Sequence, residues 1–85
     1  MSDPQHTFEL TLDAAPGAIE RVLSVVRRRH LGLKSFRADA AGDGLWTVSI
    51  KAGAVPKEAA LALSQFTALI DVRNARLNPA ADSAS

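Results

Sequence analysis

Apolar and polar residues alternate strictly along Thr7-Phe8-Glu9-Leu10-Thr11-Leu12, which puts Phe8, Leu10 and Leu12 on one face and Thr7, Glu9 and Thr11 on the other. This pattern predicts a first strand with one buried and one wet face. Asp13-Ala14-Ala15-Pro16-Gly17 breaks the alternation, and Pro16 suits the first position of a helix, where a missing N–H costs no intrahelical bond. From there to about residue 29 the period becomes helical. Ile19, Val22, Leu23, Val26 and His30 fall on one expected core face, with Glu20, Arg21, Ser24, Arg27 and Arg28 largely opposite. Glu20 near the start and the arginines near the end also complement the helix dipole.

Leu31-Gly32-Leu33 ends that helix, and alternation returns over 34–40 with Phe36 and Ala38 facing inward. Ala41-Gly42-Asp43-Gly44 is a hairpin signal. The next strand, 45–51, turns Trp46, Val48 and Ile50 inward and Thr47, Ser49 and Lys51 outward, until Gly53 interrupts the pattern. Pro56 opens a second helix through about residue 68, with Glu58 in its first turn and Ala59, Leu63, Phe66 and Ile70 at core spacing. A last strand covers 71–77 with Val72 inward; Ala75 and Leu77 share a parity that Val72 does not, which calls for a bulge or a frayed end. The element order is β-α-β-β-α-β. It predicts an α+β, ferredoxin-like domain over 7–77, a four-stranded antiparallel sheet with two helices on one face, between disordered segments at 1–6 and 78–85.

Composition narrows the function. The 85 residues are 47% apolar, but sixteen of the apolar residues are alanine, so the core is thin and open to self-association. Without cysteine there is no disulfide, thiolate metal site or CxxC chemistry. No apolar run reaches the roughly 20 residues of a membrane span, and the polar start lacks a signal-type apolar segment, so the expected location is the cytoplasm. Net charge is only +1, yet Arg21, Arg27, Arg28, Arg29, Lys34 and Arg37 fall within 21–38, where there is no acid at all. That stripe reads as a solvated helix face, as a surface for a partner protein or, least of all given the small net charge, as a nucleic-acid contact.

Catalytic constellations are missing. An RNA-reading sheet of this fold needs aromatic residues on its open face, where this chain has Thr7, Glu9, Thr11, Thr47, Ser49 and Lys51. Trp46 has inward parity and reads as core. The first loop lacks the Arg, Ser or Gly-rich run of a phosphate cradle, and His6 and His30 form no ligand cluster. His30 reads as a dipole partner at the helix end or as a half-buried core residue. Ser24, Ser35, Ser49 and Ser64 lie on separate elements with no base placed beside them, so no enzyme activity, catalytic residue, metal or cofactor is expected of this chain.

The run from Leu12 through Asp13, Ala14, Ala15, Pro16, Gly17, Ala18, Ile19, Glu20, Arg21 and Val22 to Leu23 resembles the strand, Pro-Gly turn and first helix of ACT domains, the amino-acid-sensing modules of metabolic enzymes. His30-Leu31-Gly32-Leu33-Lys34-Ser35-Phe36 is similar to that family's turn into the second strand, and Leu69-Ile70-Asp71-Val72 to the start of the last strand in small subunits of acetolactate synthase. The helix from Ile19 to Arg29 is similar to that of the short, single-domain, valine-insensitive type. The resemblance spans about 7–77. It implies a regulatory subunit that binds and activates a large catalytic subunit, to which thiamine diphosphate and magnesium would belong, and that forms a homodimer through its ACT domains, a pairing that would relieve the thin core and cover edge strands. It also implies an effector-type loop at Asp13, Ala14, Pro16, Gly17, Ala18, Ile19, Gly32 and Leu33. Valine-sensitive relatives carry an Asn in each of the two turns, where this chain has Ala14 and Gly32, so the loop is expected to be weak or vestigial. Gly17, Ala18 and Ile19 could still offer backbone N–H groups at the helix start. Arg21, Arg27, Arg28, Lys34 and Arg37 are the partner-binding candidates, and a free-standing ACT sensor of another pathway is the alternative reading.

Overall fold

The computed structural model describes residues 4–78. Strand β1 (Gln5–Asp13) leads to helix α1 (Ala18–Arg28), then β2 (Gly32–Gly42), β3 (Leu45–Gly53), helix α2 (Pro56–Ala68) and β4 (Val72–Asn78). The four strands form one antiparallel sheet in the order β2-β3-β1-β4, so β1 and β3 are central and β2 and β4 are edges. This is the ferredoxin-like arrangement expected from the element order.

Alternation does what it predicts on the central strands. Phe8, Leu10 and Leu12 of β1 and Val48, Ile50 and Ala52 of β3 are buried in one core with α1 and α2, and Phe36, Ala38 and Trp46 pack against its margin. Ala59 and Ala62 let α2 lie close to the sheet, bringing Phe66 edge-on to Phe8 with ring centroids 5.2 Å apart and planes at 69°. Between β2 and β3 the turn is two residues, Asp43 and Gly44, both at positive φ (54° and 71°), the geometry that matches strand twist in tight hairpins. The β4 parity conflict resolves as a bulge. Leu12 faces Val72 and Thr11 faces Asn74, so Arg73 is the extra residue, and Val72, Ala75 and Leu77 all turn toward the core.

Five expectations are corrected. Helix α1 starts at Ala18 rather than at Pro16, with Gly17 (φ 80°) as its N-cap. Its buried stripe is Ala18, Val22, Val25 and Val26, rotated from the one expected, so Leu23 is 37% exposed. His30 is not half-buried in the core: it is an exposed residue at the helix end at φ 55°, the left-handed position of a Schellman cap. The cap's two bonds run from His30 N–H to the Arg27 carbonyl and from Leu31 N–H to the Val26 carbonyl, both 3.1 Å, and Leu31 is buried beside Val26. Ile70 follows the end of α2, off the helical face, and is 87% exposed. Finally, Gln5 and His6 belong to β1: His6 is buried, with Nε2 3.0 Å from the Ala54 carbonyl. Asn78 likewise ends β4, and the rest of the expected C-terminal tail lies outside the described residues.

Two substitutions test this packing by urea denaturation. Phe8→Ala, at a fully buried position, is expected to cost about 3–5 kcal/mol, and Trp46→Ala, at a half-buried one, distinctly less. His30→Gly is expected to raise stability by roughly 1 kcal/mol, because glycine takes the left-handed position without the Cβ penalty. A loss of stability in His30→Gly would contradict the cap geometry.

Candidate functional site

The loop joining β1 to α1 is the first half of the site the sequence proposes, and it is fastened on three sides. Asp13 N–H donates to the Asp71 carbonyl and Ala14 N–H to the Gly44 carbonyl, each at 2.8 Å. The Asp13 carboxylate accepts from Arg73 Nε at 2.6 Å. Arg21, one turn into α1, folds back over the loop: its Nε donates to Asp71 Oδ2 at 2.8 Å, and its Nη2 to that same oxygen and, at 3.2 Å, to the Pro16 carbonyl. The Asp71 side chain is only 13% exposed, so Arg21 supplies the counter-charge that its carboxylate needs.

This guanidinium fills the concave side of the turn. A Cβ at Gly17 would stand 3.1 Å from Arg21 Nη1, and the backbone there is left-handed, so glycine serves both the conformation and the close approach. Of the N–H groups at the helix start, that of Ala18 is taken by the Ala15 carbonyl at 3.1 Å, and Ala18 itself is buried. Ala14 and Gly32 bring no side-chain donor or acceptor. The loop is held shut by its own arginine.

Gly32 and Leu33 lie elsewhere. Gly32 is opposite Gly53 on β3, and Gly53 is opposite Gln5, whereas Asp13 is at the far end of β1 opposite Leu45. Eight residue steps along β1 separate the two ends, about 26 Å at strand rise. One chain therefore does not assemble Asp13, Ala14, Pro16, Gly17, Ala18 and Ile19 with Gly32 and Leu33 into a common pocket. Any site using both sets needs a second chain.

The basic stripe also divides. Arg21 is committed to Asp71, Arg29 lies 3.8 Å from Glu58 and Arg37 lies 3.6 Å from Asp39. Arg27, Arg28 and Lys34 have no ion-pair partner among the described residues. Arg27 and Arg28 stand in the last turn of α1, and Lys34 is the residue skipped where β2 shifts register against β3. Beside them Leu23, Val26, His30, Leu31 and Leu33 line an open groove between α1 and the start of β2. Its most exposed apolar members, Leu23 and Leu33, were read from the sequence as core and as effector loop, respectively; only the rotation of α1 shows them to be neighbours on a surface.

The open face of the sheet is a shallow polar concavity of Glu9, Thr11, Asp39, Thr47, Ser49, Asn74 and Arg76, with no aromatic residue among them. Arg76 reaches Glu9 at 3.7 Å across it. Among the described residues no three acidic or imidazole side chains gather in a metal-binding group, and no helix is long and apolar enough to cross a membrane.

The backbone resembles several solved structures closely. The ACT domain of a GTP pyrophosphokinase from Chlorobium tepidum superposes with a TM-score of 0.77, covering 91% of this chain and 99% of that one at 9% identity. The fold is the ACT fold. The C-terminal domain of the MgtC protein from Mycobacterium tuberculosis also gives 0.77, with 92% and 88% coverage at 15% identity. The regulatory subunit of aspartate kinase from Thermus flavus gives 0.67 at 17% identity, and this chain spans about half (53%) of that subunit. No family model matches the sequence, and no curated protein does. At these identities the likeness to the ACT structures is one of fold.

Arg21→Ala leaves a mostly buried carboxylate at Asp71 without its partner and is expected to cost about 1–3 kcal/mol. Arg28→Ala, on the exposed face of the same helix, is expected to stay within about 0.5 kcal/mol of the parent. Equal costs in chemical denaturation would show that the Arg21–Asp71 pair does not hold the corner.

Proposed function

We propose that this chain is a non-catalytic regulatory subunit of acetolactate synthase, built on the ACT fold, which binds the large thiamine-diphosphate-dependent subunit and favours its active form without responding to valine. The observation that carries this reading is the closed β1–α1 loop. Arg21 occupies it, Ala14 and Gly32 offer no side chain to an amino acid's charged groups, and the resemblance around Ile19–Arg29 and Leu69–Val72 is to the valine-insensitive type of small subunit. Activation is then a coupling between protein states: the small subunit stabilises whichever conformation of the large one it binds better. The edges β2 and β4, each unpaired on its outer side among the described residues, leave room for both a partner subunit and a second copy.

The regulatory subunit of aspartate kinase and the ACT domain of a GTP pyrophosphokinase among the structural neighbours support a second reading, a free-standing amino-acid sensor of another pathway. A sensor would need the loop to open, and its ligand would raise the melting temperature.

The deciding measurement is acetolactate formation by the large subunit of the same organism as this protein is titrated in, with and without valine. A saturable rise that valine leaves untouched is the expected result. No rise and no co-elution would overturn the proposal, and melting shifts with single amino acids would then favour the sensor.

A further inference from the structure

We infer that the outer edge of β4, with the flank of α2 above it, is a self-association surface at which a second copy of this chain pairs about a two-fold axis through Ala75, leaving the β2 edge free. Three independent features meet at this edge. The outer side of β4 is unpaired among the described strands, and from Asn74 to Asn78 its ladder to β1 is regular, so the bulge blunts only the start. On the helix side Val72, Ala75 and Leu77 are only half-buried, whereas Phe8 and Leu10 beside them on β1 are buried. Both arginines of the strand are drawn back to carboxylates of β1, Arg73 to Asp13 and Arg76 to Glu9, which leaves β4 without an unpaired charge.

Helix α2 carries the same neutrality into the upper layer. Glu58 meets Arg29 at the end of α1 at 3.8 Å, so that flank of α2 faces α1. The helical period puts Ala60, Leu63, Ser64 and Thr67 on the opposite flank, above β4. None of the four is charged, and all but Leu63 are short and exposed. Phe66 meets Phe8 of β1 and the helix also lies against β4, so α2 rides above that pair of strands. Joining two β4 edges would therefore set the two α2 helices two strand spacings apart, roughly 10 Å, an ordinary distance for packed helices.

Charge and the bulge select the register. An axis at Arg76 would set two guanidinium groups directly opposite each other, and one at Leu77 would bring Pro79, which has no N–H to give, into the ladder. An axis at Asn74 would set Val72, which faces the helices, against Arg76 on the open face. An axis at Ala75 avoids all three: it places Arg76 opposite Asn74 of the second copy, whose amide oxygen can accept from it, and two alanines at the centre. Short residues then lie near the axis in both layers, Ala75 in mid-strand and Ala60 and Ser64 in mid-helix. That self-match favours a second copy over an unrelated strand, and it holds whether or not the chain is a subunit of a larger enzyme.

Because the chain has no cysteine, a single introduced one reports its own neighbour. Directly opposed Cα atoms of an antiparallel pair are about 4.5–5.5 Å apart, inside disulfide range. Ala75→Cys is therefore expected to form a covalent dimer under mild oxidation much faster than Leu61→Cys, whose site is exposed but turned toward α1. Ser64→Glu brings two carboxylates together across the axis and is expected to weaken self-association in sedimentation about ten-fold or more, while Leu61→Glu leaves it unchanged. Circular dichroism confirms that each variant is folded. Cross-linking of Ala75→Cys no faster than that of Leu61→Cys overturns the pairing. Self-association that Ser64→Glu leaves intact also overturns it, by placing the second copy on another surface, and so does a parent chain that stays monomeric at every concentration reached.

Discussion

Because β1 is hydrogen-bonded to β3 on one side and to β4 on the other, its alternation constrains every other element. A slip of one residue would turn Phe8, Leu10 and Leu12 away from the helices and break two ladders at once. With β1 in place, Val48, Ile50 and Ala52 have one inward solution on β3, and Phe66 has one ring to meet on α2. The bulge in β4 follows from the same constraint. The Asp13 and Arg21 bonds hold Asp71 at the corner and Leu12 faces Val72, while Leu10 and Phe8 require Ala75 and Leu77 two positions apart and inward. Only an extra residue, Arg73, reconciles the two requirements.

That corner links fold to function. Arg21 and Asp71 are fifty residues apart in sequence, and their pairing ties the start of α1 to the start of β4 while it fills the loop between β1 and α1. The same contact lays the guanidinium over the backbone of the β1–α1 turn, against Pro16 and Gly17. What the domain leaves available is its outer surface, where Arg27 and Arg28 at the end of α1 have no ion-pair partner among the described residues.

Much of this was legible in the sequence because the signals were local. Strict alternation marked β1 and β3, Pro56 marked the start of α2, and Asp43-Gly44 marked the hairpin. The rotation of α1 was not legible, since the expected stripe 19/22/23/26/30 and the observed 18/22/25/26 share Val22 and Val26 and have the same helical period, and only contact with the sheet chooses between them. The groove was hidden for that reason: Leu23 reaches the surface only after the choice is made. His6 did carry a signal, sharing the parity of Phe8, Leu10 and Leu12, but polar neighbours masked it until the Ala54 carbonyl supplied a partner. Ile70 matched the spacing of α2 but lies beyond the helix end, where that spacing no longer describes a face. The Arg21–Asp71 pair had no local signature at all.

Closure of the first loop rests on a side chain rather than on the path of the backbone. Nothing in the strands or in the helix axis has to change for that concavity to empty; the guanidinium alone stands in it, and the glycine beneath already leaves room. Whether that turn is covered or bare can thus depend on a single side chain, at the expense of the counter-charge that the mostly buried Asp71 carboxylate needs.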